Sequence, residues 1–390
     1  MSGAYPPHAG KKKATLTANE IQTELSNAVK SATHTRAPYK KQAVVLIHFE
    51  VDDLHCDGPE KELADTFRQF YGIHNITHLL LMNNDPIPHV LVNETLNKLI
   101  RQGNAAKDCL IILYYSGHGQ IVVEQSVSKH QGLRFQLKLA GAYDKDTGKP
   151  LTPLLDWEVA TSMLHGSPCH VLHIMDCCFA AEYMDLDVEL LAAATEAAGS
   201  DVGRSFTKAL VHELRSLSSQ PFTISTLYQR LMTNRSALNL DCIPLYNNCN
   251  GRDSITLGNA VHRPQAAGPL LKPDSPRILL AANVSHDVNM ADIQSLKDWL
   301  TSLLPTSIMG MEIKLEGAWD SSSSSSLLLF SLPITVWAHI DRTTSAYTYV
   351  GEVTSNNKLL QQAPTQNPAL AFRSPQGLET RKPGESSAQN

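Results

Sequence analysis

Short runs of apolar residues alternate with amphipathic stretches from residue 43 onward. The runs 43–49 and 109–115 are apolar at successive positions, which is typical of strands buried on both faces. Between them, apolar residues recur at helical spacing, as in Leu63, Phe67 and Phe70. Strands that alternate with helices in this way form βαβ units. The pattern therefore predicts a three-layer α/β domain with a mostly parallel sheet.

Individual elements follow from the same periodicity and from helix-end signals. We predict a helix between Asp57 and Gly72, because Pro59 suits a first turn and glycine suits a helix end. The other predicted strands of this domain cover 77–82, 171–175, 188–194 and 254–257, the last closing the sheet. The other predicted helices include 92–99 and 157–164 and two that begin near 205 and 223.

Changes in composition divide the 390 residues into five segments. Residues 1–40, rich in Ser, Thr, Lys and Ala, are expected to form a disordered arm. The α/β domain spans 41–260, and the proline-containing stretch 261–277 has the composition of a linker. A small α+β domain of unknown role follows over 278–361, and the polar residues 362–390 are expected to be a disordered tail.

The segments outside the α/β domain also contain periodic stretches. In the arm, residues 19–32 have helical potential, and the six serines at 321–326 are expected to form a flexible loop. The small C-terminal domain is predicted to contain strands at 278–285, 311–316, 326–332 and 346–353 and a helix at 291–304.

Composition and charge exclude several classes of function. The chain is 42% hydrophobic and 18% charged with a net charge of −5, so we expect neither nucleic acid nor an anionic membrane as a partner. The apolar stretch 327–336 is interrupted by Ser331 and Pro333 and is too short to span a bilayer. Seven cysteines, two of them adjacent, do not form a disulfide framework, and the first residues lack a signal peptide. We therefore expect a reducing, cytoplasmic setting.

Reactive residues directly follow two of the most apolar strands. The third strand leads into Ser116-Gly117-His118-Gly119, and the fourth leads into Asp176-Cys177-Cys178. Functional groups gather at the carboxyl ends of strands in open α/β sheets, so neighbouring strands would bring an imidazole and a thiol together. A thiol needs such a partner to act as a nucleophile. Gly119 permits close approach of a backbone N–H to a substrate carbonyl, as an oxyanion donor requires.

These two motifs, in this order, resemble those of the caspase and metacaspase peptidases, most closely the caspase-domain proteins of fungi. The resemblance covers about residues 41–260 and implies a peptidase acting on protein or peptide substrates without a cofactor. It implies that Cys178 is the nucleophile, that His118 activates it, and that the N–H groups of Gly119 and Cys178 hold the oxyanion. Asp176 matches a substrate-binding residue of metacaspases, which favours cleavage after Arg or Lys.

The sequence departs from metacaspases after the nucleophile, where Phe179-Ala180-Ala181 replaces small polar residues. The second acidic pocket residue of metacaspases has Asp57 as its nearest candidate. Calcium is a further possibility because Asp185 suits such a role. No clear calcium site is identified, however, since Asp144 and Asp146 lie in a predicted turn.

Alternatives remain open at this stage. The altered active-site stretch is compatible with a catalytically inactive interaction or regulatory module, and the C-terminal domain is a candidate for binding a protein partner. A phosphate-binding protein is disfavoured because 49–53 is acidic and lacks a glycine-rich loop. Cys178 is favoured over Cys177 as the nucleophile, and His173 is expected in the core. Asp52-Asp53 could supply catalytic acids, but a solvated loop is favoured.

Overall fold

The structure is a computed structural model, in which the described residues up to Thr354 belong to one compact unit. The residues that it describes are 15–34, 39–102, 108–124, 134–180, 188–194, 202–240, 243–248, 253–258, 276–286, 288–302, 312–321, 325–340, 345–354 and 357. The predicted tail at 362–390 and most of the predicted linker lie outside these ranges.

The chain folds into fifteen strands and eight helices over the described ranges. The strands are β1 (Lys41–Phe49), β2 (Ile76–Leu81), β3 (Cys109–Ser116), β4 (His118–Glu124), β5 (Arg134–Ala140), β6 (Leu155–Asp156), β7 (His170–Asp176), β8 (Glu189–Ala194), β9 (Phe222–Thr223), β10 (Ile243–Asn247), β11 (Thr256–Leu257), β12 (Arg277–Val284), β13 (Lys314–Ser321), β14 (Ser325–Pro333) and β15 (Tyr347–Val353). The helices are α1 (Ala18–Thr33), α2 (Asp57–Tyr71), α3 (Pro88–Gln102), α4 (Trp157–Thr161), α5 (Val202–Leu217), α6 (Ile224–Thr233), α7 (Met290–Ser302) and α8 (Ile334–Trp337).

A six-stranded sheet with the order β10-β8-β7-β3-β1-β2 forms the centre of the molecule. Its strands pair in parallel except for β10, which runs antiparallel to β8. The predicted α/β class with a mostly parallel sheet is thus confirmed.

The prediction that 254–257 closes this sheet is wrong, because β11 pairs with β9 instead. The closing strand is β10, which contains Pro244. Proline lacks a backbone N–H and argues against a central strand, but it is tolerated at a sheet edge.

Helices cover both faces of the sheet, as the successive apolar positions required. On one face, Leu63 and Phe67 of α2 and Leu210 of α5 pack in a core that includes Tyr114 of β3. On the other face, α3 and α4 pack in a second core, which includes Tyr115 of β3. Adjacent residues of β3 therefore point to opposite layers, and this alternation decides where the side chains at the end of each strand are placed.

Residues 18–33, part of the expected disordered arm, instead form helix α1. Thr17 and Glu20 form a capping box. The Thr17 side chain accepts a hydrogen bond from the Glu20 backbone N–H, and the Glu20 side chain accepts one from the Thr17 backbone N–H. Ile21 and Leu25 are buried in a core shared with the C-terminal strands. The expectation failed because this helix is stabilised by apolar partners far away in the sequence.

The C-terminal residues form a four-stranded antiparallel sheet with the order β13-β14-β12-β15, together with α7 and α8. The strands predicted at 278–285, 326–332 and 346–353 and the helix at 291–304 are confirmed with small shifts of their ends. The strand predicted at 311–316 is displaced toward the C-terminus and is observed as β13. Ser321, Ser325 and Ser326 of the six-serine run belong to strands rather than to a loop. At the junction with the large sheet, Thr335 donates a hydrogen bond to the Gln229 side chain at 2.9 Å.

Among the helices of the described ranges, none combines the length and apolar character that crossing a bilayer requires.

Candidate active site

The two sequence motifs meet at the carboxyl edge of the large sheet. Strands β3 and β7 are parallel neighbours, with Ser116 in register with Asp176. Immediately beyond the strands, the Gly117 N–H donates a hydrogen bond to the Asp176 carbonyl oxygen at 3.3 Å. The structure therefore brings the segments that carry His118 and Cys178 to one edge, as the apolar pattern of the two strands predicts.

Gly119 is the point of closest backbone approach between these segments. A Cβ atom added at this position would lie 2.3 Å from the Cys178 carbonyl oxygen and 3.2 Å from the Cys177 Sγ atom. Carbon and oxygen atoms cannot approach this closely without a shift of the backbone. Glycine at position 119 therefore allows the His118 strand to pack directly on the Cys178 turn.

His118 is oriented by a carboxylate that was expected to lie in a solvated loop. Its Nε2 atom lies 2.6 Å from Oδ1 of Asp53, and the two side chains are 24% and 32% exposed. The His118 ring also packs edge-on against Tyr143, with 5.0 Å between ring centroids. Asp53 does lie in an exposed loop, as expected, but its carboxylate also contacts the imidazole. The local acidic composition gave no indication that β1 and β3 would bring this loop to the imidazole.

A buried tyrosine, Tyr115, forms a hydrogen bond with the backbone of His118. The Tyr115 hydroxyl lies 2.9 Å from the carbonyl oxygens of both His118 and Ala140, to which it donates. The intervening Gly117 has a φ of 150°, and a Cβ atom there would lie 2.4 Å from the Tyr115 hydroxyl oxygen. Gly117 and Tyr115 together set the path of the chain into His118. Sequence analysis identified Tyr115 only as part of an apolar strand.

The two adjacent cysteines have different environments. Cys177 is buried in the core of the α3 side, and burial raises the pKa of its thiol well above the ordinary value, so it stays protonated. Cys178 is only partly buried, and both are free thiols. The next residue, Phe179, has a positive φ of 60°, which is costly for a side chain of this size and marks a sharp turn. Of the two thiols, Cys178 is the one accessible to a substrate.

Tyr143 packs against the imidazole. Besides the ring contact with His118, burial first, and then the negative charge of Cys178, raise the pKa of the Tyr143 hydroxyl. The Tyr143 N–H also approaches Oδ2 of Asp53 at 3.4 Å. Residues from three loops, those that follow β1, β5 and β7, therefore converge around His118.

The structure does not place the Asp176 side chain beside His118 and Cys178. Asp176 is 1% exposed, and its Oδ2 atom accepts a hydrogen bond from Thr207 of α5, which in turn bonds the Tyr114 hydroxyl at 2.7 Å. Its Oδ1 atom has no hydrogen-bond partner in the described part of the chain. Burial raises the pKa of this carboxyl to about 8, since ionisation without a counter-charge is unfavourable there.

Other candidate residues occupy structural positions. His173 is fully buried against Trp157, and burial lowers its pKa to about 3, so it is a neutral core residue as predicted. The Asp144 carboxylate accepts hydrogen bonds from Asp146 and Thr147 in the expected turn. Asp57 begins helix α2. Ala181 and Asp185 lie outside the described residues, and the described ranges contain no group of three or more His, Cys, Asp or Glu side chains placed to hold a metal.

No protein-family model and no curated protein matches this chain. Among solved structures, it is similar to caspase-1 from Spodoptera frugiperda, at 13% identity and a TM-score of 0.35, with 60% of this chain and 96% of that chain covered. It is also similar to the Drosophila initiator caspase Dronc, at 10% identity and a TM-score of 0.36, with 64% and 96% covered. Similarity at this level concerns the fold, so what the site does is inferred from its own residues.

Proposed function

We propose that the chain is a cysteine endopeptidase in which Cys178 is the nucleophile and His118 its acid–base partner. The observation that carries the proposal is the packing of the His118-Gly119 backbone directly on the Cys178 turn at the carboxyl edge of neighbouring parallel strands. An imidazole and an accessible thiol held on adjoining segments form the minimal constellation for thiol catalysis.

The reaction follows from these positions. The Cys178 thiolate attacks the substrate carbonyl carbon, and the N–H groups of Gly119 and Cys178 stabilise the oxyanion that forms. As the tetrahedral intermediate collapses, the C–N bond breaks and the leaving amine takes a proton from the His118 imidazolium. His118 then takes a proton from water, whose oxygen attacks the thioester and releases the acid product and the free thiol.

Cleavage after Arg or Lys is part of this proposal. It is supported by Asp176, which lies two residues before Cys178 and has an Oδ1 atom without a partner among the described residues. A guanidinium or ammonium group would supply that partner and would favour ionisation of the carboxyl. Because Asp176 is buried, entry of the substrate side chain requires the residues that cover its carboxyl to rearrange.

The test is a panel of fluorogenic peptides ending in Arg, Lys or Asp, with and without calcium. We expect turnover of the Arg and Lys peptides by wild type and by Cys177→Ala, and none by Cys178→Ala. Asp176→Asn should reduce turnover of the basic peptides selectively. Equal background turnover by wild type and Cys178→Ala in all conditions would rule out the peptidase.

That outcome would favour a catalytically inactive interaction module. The burial of Asp176, which keeps its carboxyl out of reach of a substrate, supports this alternative. A protein partner bound through the C-terminal sheet belongs to this alternative. Exposed Trp319, Tyr349 and Val350 on its two edge strands are consistent with such a surface. For either function, the free thiols of the described cysteines support a reducing, cytoplasmic location.

A further inference from the structure

Asp53 is held in place by the turn that follows β1. The neighbouring Asp52 carboxylate accepts from the backbone N–H groups of Leu54 at 2.8 Å and Cys56 at 2.6 Å, which fixes this turn. The Asp53 N–H donates to the Gly141 carbonyl oxygen at 3.4 Å. The two adjacent carboxylates thus have different functions: Asp52 stabilises the turn, and Asp53 points at His118.

The Asp53 carboxylate has two contacts in the site, and the one with His118 is the shorter. The separation of 2.6 Å between Nε2 of His118 and Oδ1 of Asp53 is slightly shorter than the ~2.7–2.9 Å typical of charge-assisted N–H···O hydrogen bonds, whereas the Tyr143 N–H lies 3.4 Å from the same carboxylate. An ionised carboxylate only accepts, so Nε2 of His118 carries the hydrogen. In the neutral ring, Nδ1 is then the lone-pair nitrogen.

We propose that Asp53 is a positioning residue that completes a Cys178–His118–Asp53 triad, a role that rests on the proposed peptidase function. By accepting the Nε2 hydrogen, Asp53 fixes the tautomer in which Nδ1 receives the thiol proton. Its charge also stabilises the imidazolium that forms when the proton moves from Sγ to Nδ1. The titratable groups in contact with the His118 ring are Asp53 after β1 and Tyr143 after β5, and the turn that carries Cys177 and Cys178 after β7 packs on the adjacent Gly119. Asp53 is the carboxylate in this set.

The alternative is a surface ion pair without consequence, since exposed pairs commonly contribute little. The triad and the surface ion pair predict different positions of the imidazole hydrogen when the carboxylate is replaced by an amide. In Asp53→Asn, the new side-chain amide can donate a hydrogen to Nε2, which places the ring hydrogen on Nδ1 and prevents acceptance of the thiol proton. A surface pair would leave the reactivity of Cys178 unchanged.

The experiment compares Asp53→Asn with Glu62→Gln, which removes the same charge from an exposed position on helix α2. In each full-length protein we would measure kcat/KM on the peptide panel and the rate of Cys178 alkylation by iodoacetamide at pH 7, located by mass spectrometry. Nitrogen NMR of the His118 ring, assigned with His118→Gln, reports which nitrogen bears hydrogen.

We expect Asp53→Asn to lower kcat/KM about 10²- to 10⁴-fold, mostly through kcat, and to slow alkylation about 10-fold. The ring hydrogen should move from Nε2 to Nδ1, and Glu62→Gln should behave as wild type. Loss of turnover with an unchanged ring signal and alkylation rate would assign Asp53 a merely structural role and overturn the triad. Absence of turnover in wild type would instead refute the peptidase, while the ring signal and alkylation would still decide whether Asp53 sets the state of the pair.

Discussion

Replacing Gly119 by alanine tests the packing on which the proposed site depends. The added Cβ would lie 2.3 Å from the Cys178 carbonyl oxygen, whereas ordinary contact begins at 3.4 Å. The His118 strand and the Cys178 turn must therefore separate by about 1 Å. Misplacement of catalytic groups by about 1 Å can reduce the rate ~10²-fold, and overpacking costs ~1–3 kcal/mol of stability.

Gly58→Ala is the matched control, because an added Cβ at this position in helix α2 has nothing within 4 Å. It should be neutral or stabilise the fold by up to ~1 kcal/mol, since alanine is the better helix former. Peptide turnover would be measured well below each variant's Tm, with circular dichroism to confirm folding. A folded Gly119→Ala variant that retains wild-type kcat/KM would refute the close-packing account of the site.

Three further predictions follow from other contacts. Folding stability should fall as pH rises from about 4 to about 8, because burial raises the pKa of Asp176 from 3.8 to about 8 and the unfolded chain releases that proton first. The loss is up to roughly 5 kcal/mol, and urea titrations of Asp176→Asn should show a flatter profile; an equally steep profile would contradict the assignment. Tyr115→Phe removes the hydroxyl that donates to the His118 carbonyl oxygen. It should lower the free energy of unfolding by ~1 kcal/mol in denaturant titrations and lower kcat with little change in KM. An unchanged kcat would show that this hydrogen bond does not position His118 for catalysis. Thr17→Ala removes the capping box of α1 and should lower stability by ~1 kcal/mol, whereas Thr23→Ala, whose hydroxyl only bonds the Asn19 carbonyl within the helix, should have the smaller effect.

The features that the sequence predicts are those carried by local patterns. Apolar runs at 109–115 and 171–175 indicate strands buried on both faces, and their chain order favours adjacent positions in a parallel sheet. That adjacency alone brings His118 and Cys178 to one edge. The sequence marked Gly119 for close approach to a substrate carbonyl, whereas the contact that requires glycine there, with the Cys178 carbonyl oxygen, was not predicted.

The features that the sequence does not predict depend on contacts between distant segments. Asp53 looks like any acidic loop residue until the loop after β1 meets the imidazole after β3. The direction of Asp176 is set by the pleat of β7, which turns its side chain toward Thr207 and away from the thiol. Helix α1 lies in a polar segment, and its burial depends on the C-terminal strands.

The most direct test of the central claim is active-site labelling with a peptidyl chloromethyl ketone ending in arginine, followed by mass spectrometry. The account predicts one adduct, on Cys178, which forms quickly in wild type, is slowed by competing substrate peptide, and is lost in His118→Ala. Labelling spread over several cysteines, or an equal rate in His118→Ala, would contradict the proposed activation of the Cys178 thiol by His118.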